Sequence, residues 1–282
     1  MPIYEQRYRR YEARGPLRGL RFWPITREAL KLLLQRRAFL FLLLGTWLPF
    51  VVRVVQIYIV TRFPQAGQLL PVDGRLFGEF LNQQIGLALF VTVFAGAGLI
   101  ANDLRTGAIL VYLSRPLTRR DYVLGKLSVL LLLLGGVTLA PALLLYLIGL
   151  SLAPDQYLKL ELWWIAPAIL LQSSAVVLTL GLLSLAVSSL SRSARVAGLG
   201  FFGMFVGLEM VRVVLRNALD QSWASLLSLQ ADLRGISNVL FGNTPRRWDA
   251  VDPAQAALVL LFAGAACLMV LRSRVRAVEV VR

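Results

Sequence analysis

The uncharged stretch LSVLLLLLGGVTLAPALLLYLIGL, residues 127–150, decides the fold class of this chain. Crossing a hydrocarbon core about 30 Å thick takes an α-helix of roughly 20 mostly apolar residues. This stretch has that length and carries no Asp, Glu, Lys or Arg. It therefore predicts a membrane-spanning helix.

Outward from this stretch, five further segments have the length and apolar character of a span. The second of the six is the shortest and the fourth is the longest. We predict an all-α polytopic membrane protein with six transmembrane helices at residues 38–60, 85–101, 127–150, 163–190, 196–214 and 253–271.

The composition supports this class and excludes several others. Of the residues 57% are hydrophobic and only 16% are charged, against about a quarter charged in ordinary soluble domains. The excess of 30 Lys and Arg over 15 Asp and Glu fits an anionic membrane face better than nucleic acid. The chain has no His, which excludes Ser-His catalysis, HExxH zinc sites and His-ligated haem. Its single cysteine, Cys267, cannot form an internal disulfide.

The basic residues orient the predicted spans. With the N-terminus inside, the inner segments 1–37, 102–126, 191–195 and 272–282 hold 10, 5, 2 and 4 Lys and Arg, which is 21 of the 30. The outer loops hold 7. Under the positive-inside rule this asymmetry places both termini in the cytoplasm.

Two amphipathic segments flank the spans. From Pro24 to Gln35 apolar residues recur at helical spacing, which predicts an interfacial helix on the inner leaflet, the alternative being an ordinary basic flank. In the outer loop, 215–252, a similar stripe predicts a short amphipathic or re-entrant element that ends at Gly242-Asn243. We therefore divide the chain into a cytoplasmic tail with the interfacial helix (1–37), a six-span domain (38–271) and a C-terminal cytoplasmic tail (272–282).

No phosphate-binding loop is recognisable. The one Gly-Lys pair, Gly125-Lys126, is followed by Leu127, and Arg120 stands where the Gly-rich loop requires its first Gly. We therefore expect no nucleotide to bind this chain through such a loop, and we predict no metal site.

The loop between spans two and three, ANDLRTGAILVYLSRPLTRRDYVLGK at 101–126, is richer than a simple connection. It contains a short apolar segment at 108–113, a Ser-Arg-Pro break and a second short helix. Thr118 begins that second helix, because Asp121 three residues later completes an approximate capping box. A structured apolar loop with charged edges needs a partner to pack against.

This chain resembles the membrane-spanning subunits of type-2 ABC transporters, the ABC-2-type permeases. The resemblance rests on Asp103 after span two, the Gly107-Ala108 step, the run 112–117 followed by Arg119 or Arg120, and Gly125-Lys126 at the start of span three. Six spans, cytoplasmic termini and the helix before span one also agree. The outer loop between spans five and six lacks the large external domain of some relatives.

The resemblance implies a permease in the bacterial inner membrane that exports or flips a substrate. It would pair with a second permease, identical or different, and with two cytoplasmic ATPase subunits that hold the ATP and Mg²⁺, so that this chain is not itself an enzyme. The loop after span two would carry a coupling helix that docks on the ATPase. We assign that role to Asp103, Arg105, Arg115, Arg119, Arg120 and Asp121.

Charged residues inside the spans have structural and functional interpretations. Arg53 is placed to snorkel to the outer headgroups. Glu209 and Arg212, three residues apart on span five, are placed to form an ion pair, with a role in the substrate pathway as the alternative.

Polar and small residues in spans four and five have the same two kinds of interpretation. The polar residues of span four either line a pathway or pack against other helices; they are Gln172, Ser173, Ser174 and Thr179. Gly203 and Gly207 form a GxxxG step for close helix packing, within or between subunits.

Two other classes are less well supported. A secondary transporter or channel that works without an ATPase would favour ionisable clusters at mid-membrane and inverted repeats, and neither is evident. An intramembrane hydrolase is disfavoured by the missing His.

Overall fold

The computed structural model describes residues 22–63, 65, 73–108, 118–152, 162–219, 222–243 and 251–274, and every regular element in these ranges is helical. Short 3₁₀ helices lie at Leu162–Trp164 and Ser222–Leu227. The α-helices are α1 (Trp23–Leu34), α2 (Arg37–Gly45), α3 (Leu48–Arg62), α4 (Gly74–Thr106), α5 (Arg119–Val137), α6 (Leu139–Leu152), α7 (Ile165–Leu190), α8 (Ala194–Leu219), α9 (Leu229–Phe241) and α10 (Pro253–Arg274).

Within the described ranges six segments are long and apolar enough to cross a membrane, which agrees with the predicted number of spans. Span one is α2 with α3, span three is α5 with α6, and the other four spans are α4, α7, α8 and α10. Both interruptions lie just before a proline, Pro49 and Pro141. Proline lacks a backbone N–H and cannot continue the hydrogen-bond ladder of the preceding turn.

Span two was wrongly predicted to be the shortest span. Helix α4 has 33 residues and begins at Gly74. The prediction missed its first turns because they are amphipathic rather than apolar. Phe77 and Phe80 are fully buried there, and Gln84 donates from Nε2 to the Thr46 carbonyl oxygen at 3.1 Å. Packing and this hydrogen bond stabilise these first turns, which hydropathy alone does not identify as part of a span.

Span four is likewise not the longest. Helix α7 has 26 residues, fewer than α4 and fewer than the 34 that the segment from Arg119 to Leu152 contains. The second short helix predicted in the loop is the first part of this third span, since α5 runs without a break from Arg119 to Val137.

Helices α4 and α7 form the centre of the bundle. They pack along each other, α5 and α8 lie against both, and α10 covers the far side of α7. Large apolar side chains on the outer helices are exposed, with Phe41 at 74% and Phe262 at 75%. Such a surface is suited to lipid or to another membrane subunit and not to water.

The two amphipathic segments are both helical. The segment before span one is α1, which packs against α5 and buries Ile25, Thr26 and Leu33, while Arg27 and Lys31 stay exposed. The segment before span six is α9, which packs against α4, α7 and α10 and ends at Gly242 as predicted.

These two helices mark opposite ends of the bundle, the α1 end and the α9 end. Among the described residues outside the spans' interiors, the α1 end carries twelve Lys and Arg against three Asp and Glu. The α9 end carries four of each. The charge asymmetry of the sequence is therefore also an asymmetry of the folded molecule.

Candidate functional site

The loop between α4 and α5 lies at the α1 end, and both of its helical boundaries are fixed by capping. Gly107 follows α4 with φ +70°, a left-handed conformation that L side chains rarely adopt, so glycine suits this position. Thr118 begins α5: its Oγ1 accepts from the Asp121 backbone N–H at 3.2 Å, and its own backbone N–H donates to Asp121 Oδ2 at 3.0 Å. The predicted capping box is thus confirmed.

Below the loop, α4 and α5 are joined by three residues that we call the anchor cluster: Asp103, Tyr122 and Lys126. Lys126 Nζ lies 2.7 Å from Asp103 Oδ2, and the Tyr122 hydroxyl donates to the same oxygen at 2.8 Å. Lys126 also lies 5.6 Å from the centroid of the Tyr122 ring. The Lys126 and Asp103 side chains are only 6% and 16% exposed, so solvent screens this pair little.

Helix α1 is attached to the same corner. The Thr26 hydroxyl donates to the Gly125 carbonyl oxygen at 3.0 Å, and Thr26 is fully buried. A Cβ at Gly125 would lie 3.1 Å from the Ile25 Cβ and from the Phe22 carbonyl oxygen. Glycine therefore favours this close approach of α1, because a Cβ at position 125 would require a neighbouring atom to shift.

A further contact ties α4 to α7 near the same end. The Ser188 hydroxyl donates to the Ala97 carbonyl oxygen at 2.8 Å and accepts from the backbone N–H groups of Ile100 and Ala101. At this end of the bundle, α4 is therefore joined to α5 and α7, and α5 to α1. The described residues contain no group of acidic or Cys side chains suited to hold a metal.

The structure separates the residues assigned to coupling into two sets. Asp103 is held inside the anchor cluster, whereas Arg105, Arg119 and Arg120 are exposed. Asp121 is partly buried and takes part in the capping box. Arg115 and most of the apolar segment at 108–113 lie outside the described residues.

Sequence reasoning missed two members of the anchor cluster as partners of Asp103. Tyr122 and Lys126 follow Asp103 by 19 and 23 residues, so no helical spacing relates them to it. A lysine and a tyrosine one turn apart at the start of an apolar span are the one available signal, because a charge at that depth requires a partner.

The charged residues of the spans pair with one another. Glu209 and Arg212 form the predicted ion pair, with Arg212 Nη2 at 2.5 Å and Nε at 3.0 Å from the two carboxylate oxygens. The Ser228 hydroxyl, which caps α9, donates to the same carboxylate. Arg53 pairs with Glu79 on α4 at 3.1 Å, a partner that the predicted start of span two had left in the outer loop.

The polar residues of span four do not share one face. Gln172 and Ser173 are buried, and Gln172 donates from Nε2 to the Leu233 carbonyl oxygen of α9 at 2.9 Å. Ser174 is exposed and Thr179 is partly buried. A pathway role for these residues remains a prediction.

Gly203 and Gly207 are open in this chain. A Cβ placed on either would meet no atom of the described residues within 4 Å, so within that part of the chain the GxxxG step packs against no other helix. Packing between subunits stays a prediction.

Comparison with known proteins supports a transport role for this architecture. A family model described as "ABC-2 family transporter protein" matches residues 35–239, from the turn before α2 into α9. The match includes spans one to five and the whole loop between α4 and α5. No curated protein shows significant similarity to the chain.

Proposed function

This chain belongs to the ABC-2 family of transporter proteins, and from that premise we propose that it couples ATP hydrolysis on partner subunits to the export or flipping of a substrate. As a permease of an ABC transporter it forms part of the membrane-spanning pathway. The observation that carries the proposal is the anchoring of α4 and α5 on either side of the loop that joins them. The two helices are capped at the boundaries of the loop and are joined to each other, to α1 and to α7, so they are suited to transmit force from outside the membrane.

The α1 end faces the cytoplasm in this proposal. Its excess of basic residues satisfies the positive-inside rule and gives both predicted termini a cytoplasmic location. The exposed Arg105, Arg119 and Arg120 beside the loop suit an acidic rim on a cytoplasmic ATPase. In a bacterium the protein would lie in the inner membrane, with α1 on the inner leaflet.

Nucleotide chemistry belongs to the partners. Two ATPase subunits per complex would bind ATP and Mg²⁺, and this chain would contribute no catalytic residue. A second permease, identical or different, would complete the membrane-spanning part of the transporter.

Co-purification with an ATPase subunit tests this function. The full chain is expressed with a candidate ATPase subunit, sought first among the neighbouring genes, and both recovery of the complex and ATP hydrolysis are measured. We expect a stable complex that hydrolyses ATP, whereas the isolated chain neither binds nor hydrolyses it. Hydrolysis by the isolated chain after rigorous removal of contaminants, or transport by the chain without any ATPase, would contradict the proposal.

A further inference from the structure

A groove opens on the side of the bundle at the α1 end, between α1, α4 and α8. It encloses about 680 Å³, within the range of roughly 300–1,000 Å³ that ligand sites occupy. Phe94 and Leu199 on its walls are 61% and 73% exposed, so the groove is open towards the surroundings of the bundle. Both residues lie on candidate spans, so a bilayer would surround this opening.

The groove is polar at one end and apolar at the other. Asp103 on α4 and Arg195 on α8 lie at its polar end, and Arg36 from the turn before α2 joins them. Phe94 lies nine residues before Asp103, and Phe202 seven residues after Arg195, which is roughly 10–14 Å along each helix axis. On both helices, therefore, the charged residue lies at the α1 end of the groove and the aromatic residue lies further from that end.

The polar end has a net positive charge. Asp103 is neutralised by Lys126, which also lines the groove, so Arg36 and Arg195 remain as exposed cations. Arg195 is the second residue of α8, where the positive end of the helix dipole adds to the same sign. An anionic group is the natural complement of this end.

We propose that this groove binds an anionic phospholipid of the adjoining leaflet, with its phosphate at Arg36 and Arg195 and an acyl chain against Phe94, Leu199 and Phe202. A molecule with a negative head and an apolar tail matches both ends of the groove. A second copy of this chain matches less well, because a symmetric contact would bring the same two arginines towards each other. The inference concerns lipid binding and does not rest on the proposed function.

Lipid binding to the purified full chain in detergent tests the proposal, measured by native mass spectrometry without ATP or partner subunits. We expect dioleoylphosphatidylglycerol to be retained and dioleoylphosphatidylcholine to be lost. Arg36→Gln combined with Arg195→Gln should weaken phosphatidylglycerol binding by roughly 30-fold, since each basic residue near an anionic surface contributes about fivefold. Glycerol 1-phosphate, which has the headgroup charge but no chain, should not compete at equal concentration.

Matched variants distinguish a site from a general effect of charge or apolar surface. Arg272→Gln with Arg274→Gln removes two exposed arginines at the same end of the bundle but outside the groove, and should leave binding unchanged. Phe94→Ala with Leu199→Ala should weaken binding at least severalfold, and Leu261→Ala with Phe262→Ala on α10 should not. All of these side chains are exposed, so the substitutions leave the core intact.

Several outcomes would overturn the inference. Equal losses in the groove and control variants would mean that the lipid senses only the overall charge or apolar surface. Full competition by glycerol 1-phosphate would identify a site for free phosphate esters. Efficient disulfide cross-linking of two chains through Leu199→Cys, in a Cys267→Ser background, would show that a second copy covers the groove.

Discussion

Asp103 is a largely buried acidic residue near the end of span two. It lies close to the loop that we propose contacts an ATPase, yet its carboxylate is occupied by Lys126 and Tyr122. A buried charge without a partner is costly, whereas a pair with excellent geometry is tolerated. The primary effect of Asp103 is therefore to hold α4 and α5 together below the loop.

Lys126→Met should destabilise the protein by about 3 kcal/mol, because it leaves Asp103 as a buried charge without its cation. Adding Asp103→Asn to the same chain should recover most of that loss. The measurement is thermal unfolding of the four proteins of this cycle in one detergent. Additive effects of the two substitutions would mean that the pair contributes nothing as a pair.

A second carboxylate, Asp232 on α9, is fully buried, and neither of its oxygens has a hydrogen-bond partner among the described residues. Burial raises the pKa of Asp232 from 3.8 to about 7. The neutral form is thus favoured by folding. Its contribution to stability is present at low pH and is lost as the pH rises towards and through 7.

Asp232→Asn should therefore reduce the dependence of the unfolding temperature on pH between pH 5 and pH 8. In the unsubstituted protein that temperature should fall over this range, and the variant should be flatter. Asp252→Asn is a matched control, because Asp252 is exposed at the same end of the bundle and its oxygen caps α10. An unchanged slope in Asp232→Asn would show that this carboxyl does not titrate with unfolding.

At the scale of elements, α4 and α5 are joined to each other by the anchor cluster beside the loop that connects them. Helix α5 carries its capping box at the loop and continues for 19 residues into the membrane. Arg119 and Arg120, its first two residues, are exposed, as the proposed contact with an ATPase requires. The same helix receives α1 at Gly125.

Reversing both charges, Arg119→Glu with Arg120→Glu, should leave the six spans inserted, because 19 of the 21 inner Lys and Arg remain. It should weaken association with the ATPase by on the order of 2 kcal/mol or more and lower transport. Protease protection reports insertion, and a pull-down reports the complex. Arg272→Glu with Arg274→Glu, on α10 at the same end, is the matched control.

Normal insertion with full recovery of the ATPase and unchanged transport would make Arg119 and Arg120 topology signals only. The contact would then have to be sought elsewhere in the loop.

At the scale of the whole molecule, α4 and α7 form the centre of the bundle, and other spans pack against them. Helices α4 and α7 are the most enclosed spans, while α3, α8 and α10 present apolar faces to the outside. The two ends of this bundle differ in charge among the described residues. We therefore expect electrostatics to set the orientation in the membrane.

Reporter fusions test that orientation directly. Fusions after residue 115 and at residue 282 should report a cytoplasmic location, and fusions after residues 67 and 243 an external one. The physical reason is the retention of the arginine-rich end on the cytoplasmic side during insertion. An external signal after residue 115 would reverse the orientation, and with it the proposed coupling to ATPase subunits.

The number of spans, the all-helical class, the capping box at Thr118 and the pair of Glu209 with Arg212 follow from sequence alone. Each depends on residues that lie within a few turns of one another, so hydropathy, spacing and capping chemistry are enough to predict them. The transport family likewise follows from a contiguous motif in one loop.

Only the tertiary structure decided which helices meet. The pairs of Asp103 with Lys126 and of Arg53 with Glu79 join residues more than 20 positions apart. So do the Ser188 contact with α4 and the closeness of α1 to Gly125. The length of α4 also depended on such contacts, because its amphipathic first turns are stabilised by burial against other helices and not by their own hydropathy. Partners of this kind are set by the packing of the bundle, which no local pattern encodes.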